Sequence, residues 1–280
     1  MKNSKLIRTG VIILFAAALA GSIGYQNYVK KMQVGRIMNA ADKLDTLVNL
    51  HFVTSTTDES EQEGTSGIST EVWADLDSKK WVAVYSSIEG DNVTIYQSQM
   101  YDGEKSYGIN ESVDEWTELA QTTDEIPYFS TLNTFYYNED DFTNVKVTTE
   151  GETTVVTATL SEAALEKVQE DGVESANQTY LTYVENGQTD EAESAKLLLD
   201  CAKQTTVTSI EVSYTINADG LLSASTYKEY YSRPAIVTEN DEKTLGDIEE
   251  HAATTTREVV SYNSEEATTT LHEYLDQLKE

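Results

Sequence analysis

The pattern of hydrophobic and polar positions divides the chain into an apolar amino-terminal segment, an amphipathic helix and a long region of short strands. Residues 9–25 carry no charge, and residues 32–50 then place apolar side chains three to four positions apart. That spacing predicts a helix with one apolar stripe, continuous with the apolar segment. From His51 onward, β-rich runs broken by polar turns follow one another at roughly ten-residue spacing, as in an antiparallel meander.

Short local signals mark turns within the strand-rich region. Asp102-Gly103 predicts a hairpin, because glycine adopts a positive φ at little cost. A second hairpin is predicted around Gly151 and a turn at 217–220. Residues 58–67 and the acidic stretch 238–250 are predicted to be loops, because polar residues dominate both.

Capping residues predict three helices after the meander. Ser161 begins one that Gly172 ends, and an Asp190/Glu193 capping box begins a second that runs through Lys203. The chain is predicted to end in a third helix, capped by Asn263 or Ser264. A further short, aromatic helix is predicted within 124–137, where Pro127 suits the first turn.

These elements predict an α+β fold in which a curved antiparallel sheet, a half-barrel, packs on amphipathic helices. The clearest strand alternates Ile210, Val212, Tyr214 and Ile216 with polar residues, so one of its faces is buried and the other is wet. The chain is predicted to have four parts: a cytoplasmic stub 1–8, a membrane segment 9–29, an amphipathic helix 30–50 and an extracytoplasmic domain 51–280.

The amino terminus predicts a membrane location. A basic stub precedes the apolar run, and by the positive-inside rule the rest of the chain lies outside the cytoplasm. An uncleaved single-pass signal anchor is favoured, since about 20 residues span a bilayer; secretion after cleavage at Ala18-Leu19-Ala20 is the alternative. The only cysteine is Cys201, so lipid anchorage after the apolar run is excluded. The predicted membrane-contacting residues are Ile12, Ile13, Leu14, Phe15 and Leu19.

Composition excludes several classes of function. The chain has 49 acidic and 19 basic residues, a net charge of −30, and such a field repels nucleic acid. One cysteine and three scattered histidines predict no metal site. No phosphate-binding loop or nucleophile elbow is present, so we predict no cofactor, no catalytic residues and no enzymatic activity.

Aromatic residues supply the candidate binding site. The segment 124–137 predicts either a helix packed on the open face of the sheet or a lid over an apolar cavity. The three tryptophans lie on predicted strands, where such rings either fill the core or line a cavity. The ligand-cavity candidates are Trp73, Trp81, Trp116, Tyr128, Phe129, Leu132, Phe135 and Tyr214.

One phrase of the meander resembles the LolA/LppX-like group of extracytoplasmic envelope proteins. An Asp-Gly turn, then an aromatic residue, then tryptophan are matched by Asp102, Gly103, Tyr107 and Trp116, and residues 207–231 match a later strand pair. The similarity covers roughly residues 33–231. It implies a half-open antiparallel barrel over helices, with an apolar concavity that carries lipid in some relatives, and no catalytic residues. This chain departs from the group in lacking a lipid-anchoring cysteine and in its carboxy-terminal strand and helix.

The sequence therefore predicts a non-enzymatic, membrane-tethered protein of the bacterial cell envelope. Its expected ligand is a lipid or another apolar small molecule, held in the concavity of the sheet. The alternative is an extracytoplasmic interaction or sensing module with a solid core and an acidic surface. The membrane is the expected partner of the amino-terminal helix, and the sequence names no protein partner.

Overall fold

A single antiparallel sheet of eleven strands forms the protein. The computed structural model describes residues 30–60, 64–110, 113–133, 137–239 and 242–279. The described strands are β1 (Asn49–Ser60), β2 (Gly64–Asp75), β3 (Lys80–Glu89), β4 (Asn92–Tyr101), β5 (Ser106–Asn110), β6 (Val113–Glu118), β7 (Phe142–Glu150), β8 (Thr153–Leu160), β9 (Thr206–Ile216), β10 (Leu222–Glu239) and β11 (Glu242–Tyr262). The helices are α1 (30–42), α2 (Phe129–Asn133), α3 (Glu162–Glu185), α4 (Thr189–Ala202) and α5 (Glu265–Asp276).

The first strand lies in the middle of the sheet. The strand order is β6-β5-β4-β3-β2-β1-β11-β10-β9-β8-β7, so β1 pairs with β2 on one side and with the last strand, β11, on the other. All of these pairs are antiparallel. β8 and β9 pair although α3 and α4 lie between them in the chain, and β1–β11 joins residues near the two ends of the described chain, such as Leu50 and Tyr262. The sheet is open, with β6 and β7 as its edges.

Alternation along β1 defines the two faces of the sheet. Leu50, Phe52 and Thr54 are buried on the side of α1, which we call the α1 face. His51 points to the other side, stacks on Trp73, and belongs to the α5 face. This two-residue period follows from the pleat of a strand.

Two apolar clusters fill the α1 face. In the first, Ile37 and Ala41 of α1 pack with Val212, Tyr214 and other residues of β8–β10. In the second, Leu44 and Leu47, just after α1, pack with Phe52, Trp81 and other residues of β1–β3. The helix and the turn that follows it therefore cover the two clusters in succession.

The α5 face is covered by the carboxy-terminal helix. Leu271 of α5 is buried with Val82 and Met100, and Trp73 and Trp116 pack at the edge of this cluster. The indole Nε1 of Trp116 donates a hydrogen bond to the side-chain oxygen of Gln277 at 3.0 Å. The final helix thus covers β2 and β3 on the side opposite α1.

The predicted turns and two of the predicted caps are confirmed. Gly103, Gly151 and Gly220 have φ of 104°, 62° and 72° at the three predicted turns. Ser161 begins α3 by accepting a hydrogen bond from the amide of Ala164. Ser264, rather than Asn263, caps α5.

Three helix predictions differ from the structure. The amphipathic helix ends at residue 42 and continues as a 3-10 turn, Lys43–Thr46, because β1 already begins at Asn49. α3 runs through Gly172 to Glu185, since this glycine does not take the positive φ that ends a helix. α4 begins at Thr189 with no side-chain cap, so the Asp190/Glu193 capping box was wrong.

Both predicted acidic loops are mostly strand. β1 extends to Ser60 and β2 starts at Gly64, while β10 and β11 occupy nearly all of 238–250. The charged side chains of these segments hide the alternation of apolar and polar residues that predicts a strand. Hydrogen bonds between neighbouring strands nevertheless hold the backbone extended. β10 and β11 therefore form one long hairpin whose outer part extends past the ends of β1 and β9.

The antiparallel sheet packed on helices is confirmed, and the predicted membrane helix at 9–29 lies outside the described residues. Among the helices of the described ranges, none combines the length and apolar character needed to cross a membrane.

We expect Gly172→Ala to stabilise the protein. Gly172 lies in the middle of α3, and a Cβ built there meets no atom within 4 Å. Alanine is better than glycine inside a helix by about 0.5–1 kcal/mol. Thermal unfolding followed by circular dichroism should show a higher Tm for the variant. Gly151→Ala is the matched control and should lower the Tm, because Gly151 has a φ of +62° in a turn that is equally open. A lower Tm for Gly172→Ala contradicts the prediction.

Candidate ligand-binding face

The α1 face has an uncovered stretch at the centre of the sheet. Thr56 lies on the central strand and is nevertheless exposed, and its partner on β2, Ile68, is 48% exposed. On the other side Thr56 pairs with Thr255, and the two hydroxyls are 3.0 Å apart. We call the surface formed by Thr56, Ile68, Thr255, Tyr85 and Tyr128 the trough.

Tyrosine side chains border the trough on the β3 side. Tyr85 is half-buried on β3, and its ring centroid is 6.4 Å from that of Tyr96. Burial, with smaller contributions from Tyr128 and Tyr96, raises the pKa of Tyr85 to about 12. Tyr128, just before α2, has a φ of 59° and is 40% exposed. This side of the trough is therefore aromatic and partly exposed to solvent.

A second tyrosine cluster lies on the β9–β11 side. The hydroxyls of Tyr214 and Tyr227 are 2.9 Å apart, and the ring of Tyr137 lies 6.2 Å from that of Tyr227. Burial is the main cause that raises the pKa of Tyr137 to about 12, and burial also raises that of Tyr214. The guanidinium of Arg257 lies 5.2 Å from the centroid of Tyr227.

Polar side chains occupy the far end of the same face. Asp58 of β1 accepts hydrogen bonds from the hydroxyl of Tyr231 at 2.8 Å and from Arg233 at 3.1 Å. Its other oxygen lies 3.2 Å from Nδ1 of His251. Three strands thus meet through one carboxylate.

His251 is built as a structural residue. Its side chain is 2% exposed and stacks on Tyr231 with an angle of 9° between the rings. Nε of Arg233 donates to Nε2 of His251 at 3.4 Å, which leaves Nδ1 to carry the proton and donate to Asp58. Both ring nitrogens therefore already have hydrogen-bond partners, and neither partner is a serine or threonine hydroxyl.

Glu229 is the half-buried acid of this region. It lies between Tyr227 and Tyr231 on β10, pointing to the α1 face. Burial, and secondarily the charge of Asp58, raises the pKa of its carboxyl group. The far end of the α1 face therefore holds the acids Asp58 and Glu229 together with Arg233, while Arg257 lies at the other end.

The structure distributes the sequence-predicted site residues over four places. Trp81, Phe129 and Leu132 lie in the cluster of β1–β3, Tyr214 lies in the cluster of β8–β10, and Tyr128 borders the trough. Trp73 and Trp116 lie on the α5 face, under the terminal helix. Phe135 and the membrane residues of 9–29 lie outside the described residues. The predicted set is not brought into one cavity.

The polar groups of the α1 face were missed by sequence reasoning. Tyr227, Glu229, Tyr231 and Arg233 alternate along β10, and this period of two could have placed them on one face. Arg257 gave no such signal, because its importance depends on neighbours from distant strands.

Concave surfaces in the described part of the chain have mixed polar and apolar linings. One, of about 860 Å³, lies between α3 and α4. Its lining is Glu166, Gln169, Glu170, Val173, Glu174, Asn177, Gln178, Leu199 and Lys203. Within the described ranges no group of three or more histidine, cysteine or acidic side chains is arranged to hold a metal ion.

Comparison with known proteins finds loose structural similarity. No family model matches the chain, and no curated protein matches it. A LolA superfamily protein from Nitrosomonas europaea is similar over 80% of this chain and 92% of its own, at 9% identity and a TM-score of 0.24. A DUF1329 family protein from Desulfovibrio piger covers 84% and 93%, at 7% identity and 0.24; Rv2717c from M. tuberculosis covers 78% and 97%, at 10% and 0.20. These structures include a member of the LolA superfamily, the group that the sequence resembles.

The buried tyrosines predict a loss of stability at alkaline pH. The pKa values of Tyr85 and Tyr137 are raised to about 12, above the ordinary value of 10.0. Between pH 10 and 12 the unfolded chain loses these protons while the folded chain keeps them, so unfolding becomes more favourable as pH rises. The Tm should fall across this window, and it should fall less steeply in Tyr137→Phe. Tyr183→Phe, in α3, is the control, and its Tm should fall with pH as steeply as that of the wild type. An equally steep fall in all three proteins excludes Tyr137 as a cause of the alkaline loss of stability.

Proposed function

We propose that the protein is a non-enzymatic binding protein that holds a lipid or another apolar ligand in the trough. The observation that carries this proposal is the exposure of Thr56 and Ile68 on the α1 face, at the centre of an eleven-stranded sheet. The face of an antiparallel sheet that packs on the core is normally covered by another layer, and here the described helices leave these two positions open. An exposed apolar surface with aromatic borders is suited to an apolar ligand.

The borders of the trough fit an elongated ligand. Ile68 offers an aliphatic floor, while Tyr85 and Tyr128 offer rings that contact an aliphatic chain. The hydroxyl of Tyr85 donates to the side-chain oxygen of Gln99 at 3.4 Å. The threonine pair at 56 and 255 supplies hydroxyls to a polar part of the same molecule. The trough thus combines an apolar path with a polar end.

We also propose that residues 9–29 tether this domain to the cell membrane, with the domain outside the cytoplasm. The uncharged run and the basic stub before it support the tether and its orientation. Proteinase treatment of intact spheroplasts should remove a carboxy-terminal tag. A tag that is digested only after lysis contradicts the orientation, and a tag found in the medium indicates the cleaved, secreted form.

The absence of enzymatic activity is part of the proposal, and the surroundings of His251 support it. A general base needs a ring nitrogen that is free to take a proton from a substrate or nucleophile. In His251 one nitrogen faces Asp58 and the other accepts from Arg233. The third histidine of the chain, His272, is exposed on α5.

The binding proposal is tested with a neutral fluorescent lipid. The full-length chain, delipidated and held in amphipol, should enhance the fluorescence of cis-parinaric acid methyl ester beyond an amphipol blank. Ile68→Asp places a charge on the floor of the trough and should weaken binding about tenfold, which corresponds to about 1.4 kcal/mol.

The matched control is Val260→Asp. Val260 is similarly exposed, at 52%, and lies on β11 at the bulge opposite His51 and Phe52, outside the residues of the trough. Binding of the ester should stay at the wild-type level in this variant. No binding by the wild type, or equal loss in both variants, overturns the proposed site.

A second candidate function is supported by the outer part of the β10–β11 hairpin. Leu198 of α4 and Ile236 of β10 are exposed around a concave surface of about 450 Å³, whose border carries the acids Asp190 and Glu193 and one base, Lys243. Apolar side chains with an acidic border suit a protein partner of basic charge. Capture of such a partner that is lost at high salt and in Ile236→Asp, while ester binding persists, favours this interaction module.

A further inference from the structure

Arg257 has no carboxylate partner among the residues that the structure describes. It lies on β11 and points to the α1 face, and its Nε is buried with no hydrogen-bond partner. No acidic side chain of the described residues lies within ion-pairing distance of it, although acids outnumber bases 49 to 19 in the chain. Leaving a partly buried guanidinium unpaired costs free energy.

The side chains around Arg257 are neutral and rich in hydroxyl groups. Thr54 on β1 and Ser225 on β10 lie directly opposite it, and both are buried. The ring of Tyr227 lies against the guanidinium and separates Arg257 from Glu229 along the α1 face. A guanidinium beside hydroxyl donors is the usual arrangement for binding a carboxylate or a phosphate.

The position of Arg257 connects this polar site to the trough. Arg257, Thr54, Thr70 and Tyr85 are successive partners across β11, β1, β2 and β3. Three strand spacings separate Arg257 from Tyr85, about 14 Å in total. Ile68 and Thr56 occupy the adjacent row, so an extended molecule that reaches from Arg257 to Tyr85 crosses the floor of the trough.

We infer that the ligand is an anionic amphiphile, whose carboxylate or phosphate group pairs with Arg257 while its apolar chain crosses Ile68 toward Tyr85. This inference rests on the proposed function, since it names the class of molecule that the trough takes. It also assigns an orientation: the anionic group lies at the Arg257 end, away from Asp58 and Glu229, whose charges repel it.

The test compares two probes that differ in one charge. cis-Parinaric acid and its methyl ester share a chain and a chromophore, and the wild type should bind the acid more tightly. Arg257→Gln should weaken binding of the acid about tenfold to a hundredfold, the range expected for a hydrogen-bonded ion pair. Binding of the ester should change less than about twofold, because no charge is lost from that complex.

Arg36→Gln is the matched control for charge. Arg36 is exposed on α1, where it donates to the hydroxyl of Thr154 at 2.7 Å, and its removal changes the net charge equally. Both probes should bind this variant as they bind the wild type. Equal weakening of the acid in Arg36→Gln and Arg257→Gln assigns the effect to net charge and overturns the inference.

The remaining outcomes separate the two proposals. If the wild type binds the ester but shows no preference for the acid, or if Arg257→Gln weakens both probes equally, the anion site is wrong and the proposed function stands. If neither probe binds, the proposed function itself fails. Dodecyl phosphate should displace cis-parinaric acid, whereas inorganic phosphate alone should not. Displacement by inorganic phosphate alone would identify a site for the free anion and would overturn the inference that the ligand is an amphiphile.

Discussion

Truncation of Phe52 to alanine is expected to lower the free energy of unfolding by about 3–5 kcal/mol. Phe52 is fully buried on the central strand, where it packs with Leu44, Val72 and Trp81. The variant loses the transfer free energy of the ring and leaves a cavity that residues held on three strands and a turn cannot close. Since a domain is stable by about 5–15 kcal/mol, the loss is a large part of the total.

Urea unfolding of the full chain, followed by tryptophan fluorescence, measures this loss. Phe52→Leu keeps most of the volume and should cost less than about 1.5 kcal/mol. Val260→Ala truncates an exposed side chain and should fall within about 0.5 kcal/mol of the wild type. A loss below about 1 kcal/mol in Phe52→Ala is inconsistent with a close-packed cluster at this position.

Removal of the Asp58 carboxylate is the second change with a large expected effect. Tyr231, Arg233 and His251 all direct donors at this one group, and His251 cannot reach water from its buried position. Asp58→Ala leaves these donors without their acceptor and should lower the free energy of unfolding by about 2–3 kcal/mol. Partial exposure of Asp58 and Arg233 keeps the loss below that of a fully buried ion pair.

A double-mutant cycle separates this network from a general effect of charge. Asp58→Ala combined with Tyr231→Phe should cost less than the sum of the two single variants, because both remove the same hydrogen bond. Asp77→Ala, at an exposed turn position, is the charge-matched control and should be near neutral. Strict additivity in the cycle contradicts the shared carboxylate.

The stability of this protein is also expected to fall at alkaline pH, for a reason that the sequence hid. Seventeen tyrosines are visible in the sequence, but only pairing of distant strands shows which of them are buried. Val156, Tyr214, Ser225 and Arg257 are successive partners across four strands, although 101 positions separate the first from the last. Periodicity within one strand cannot reveal such a row.

Local signals predicted the elements of the fold well where chemistry is local. The turn at Asp102-Gly103 and the cap at Ser161 depend on a few adjacent residues, and both are confirmed. The acidic stretch 238–250 was predicted wrongly, because a long hairpin is held by pairing between its own strands and tolerates charged side chains on both faces. The candidate site divides in the same way: the sequence indicates its aromatic residues, but it does not indicate the cation Arg257.

The pairing of β1 with β11 has a consequence for how a new chain reaches its native state. Partners such as Thr54 and Arg257 are about 200 positions apart in sequence, so the middle of the sheet is the last part that synthesis can complete. Pairing over such separations is slow. Until β11 emerges, β1 presents an unsatisfied row of backbone amides and carbonyls, which is where aggregation of sheet proteins begins. Shielding of that edge until β11 is available is therefore expected to limit aggregation of the new chain.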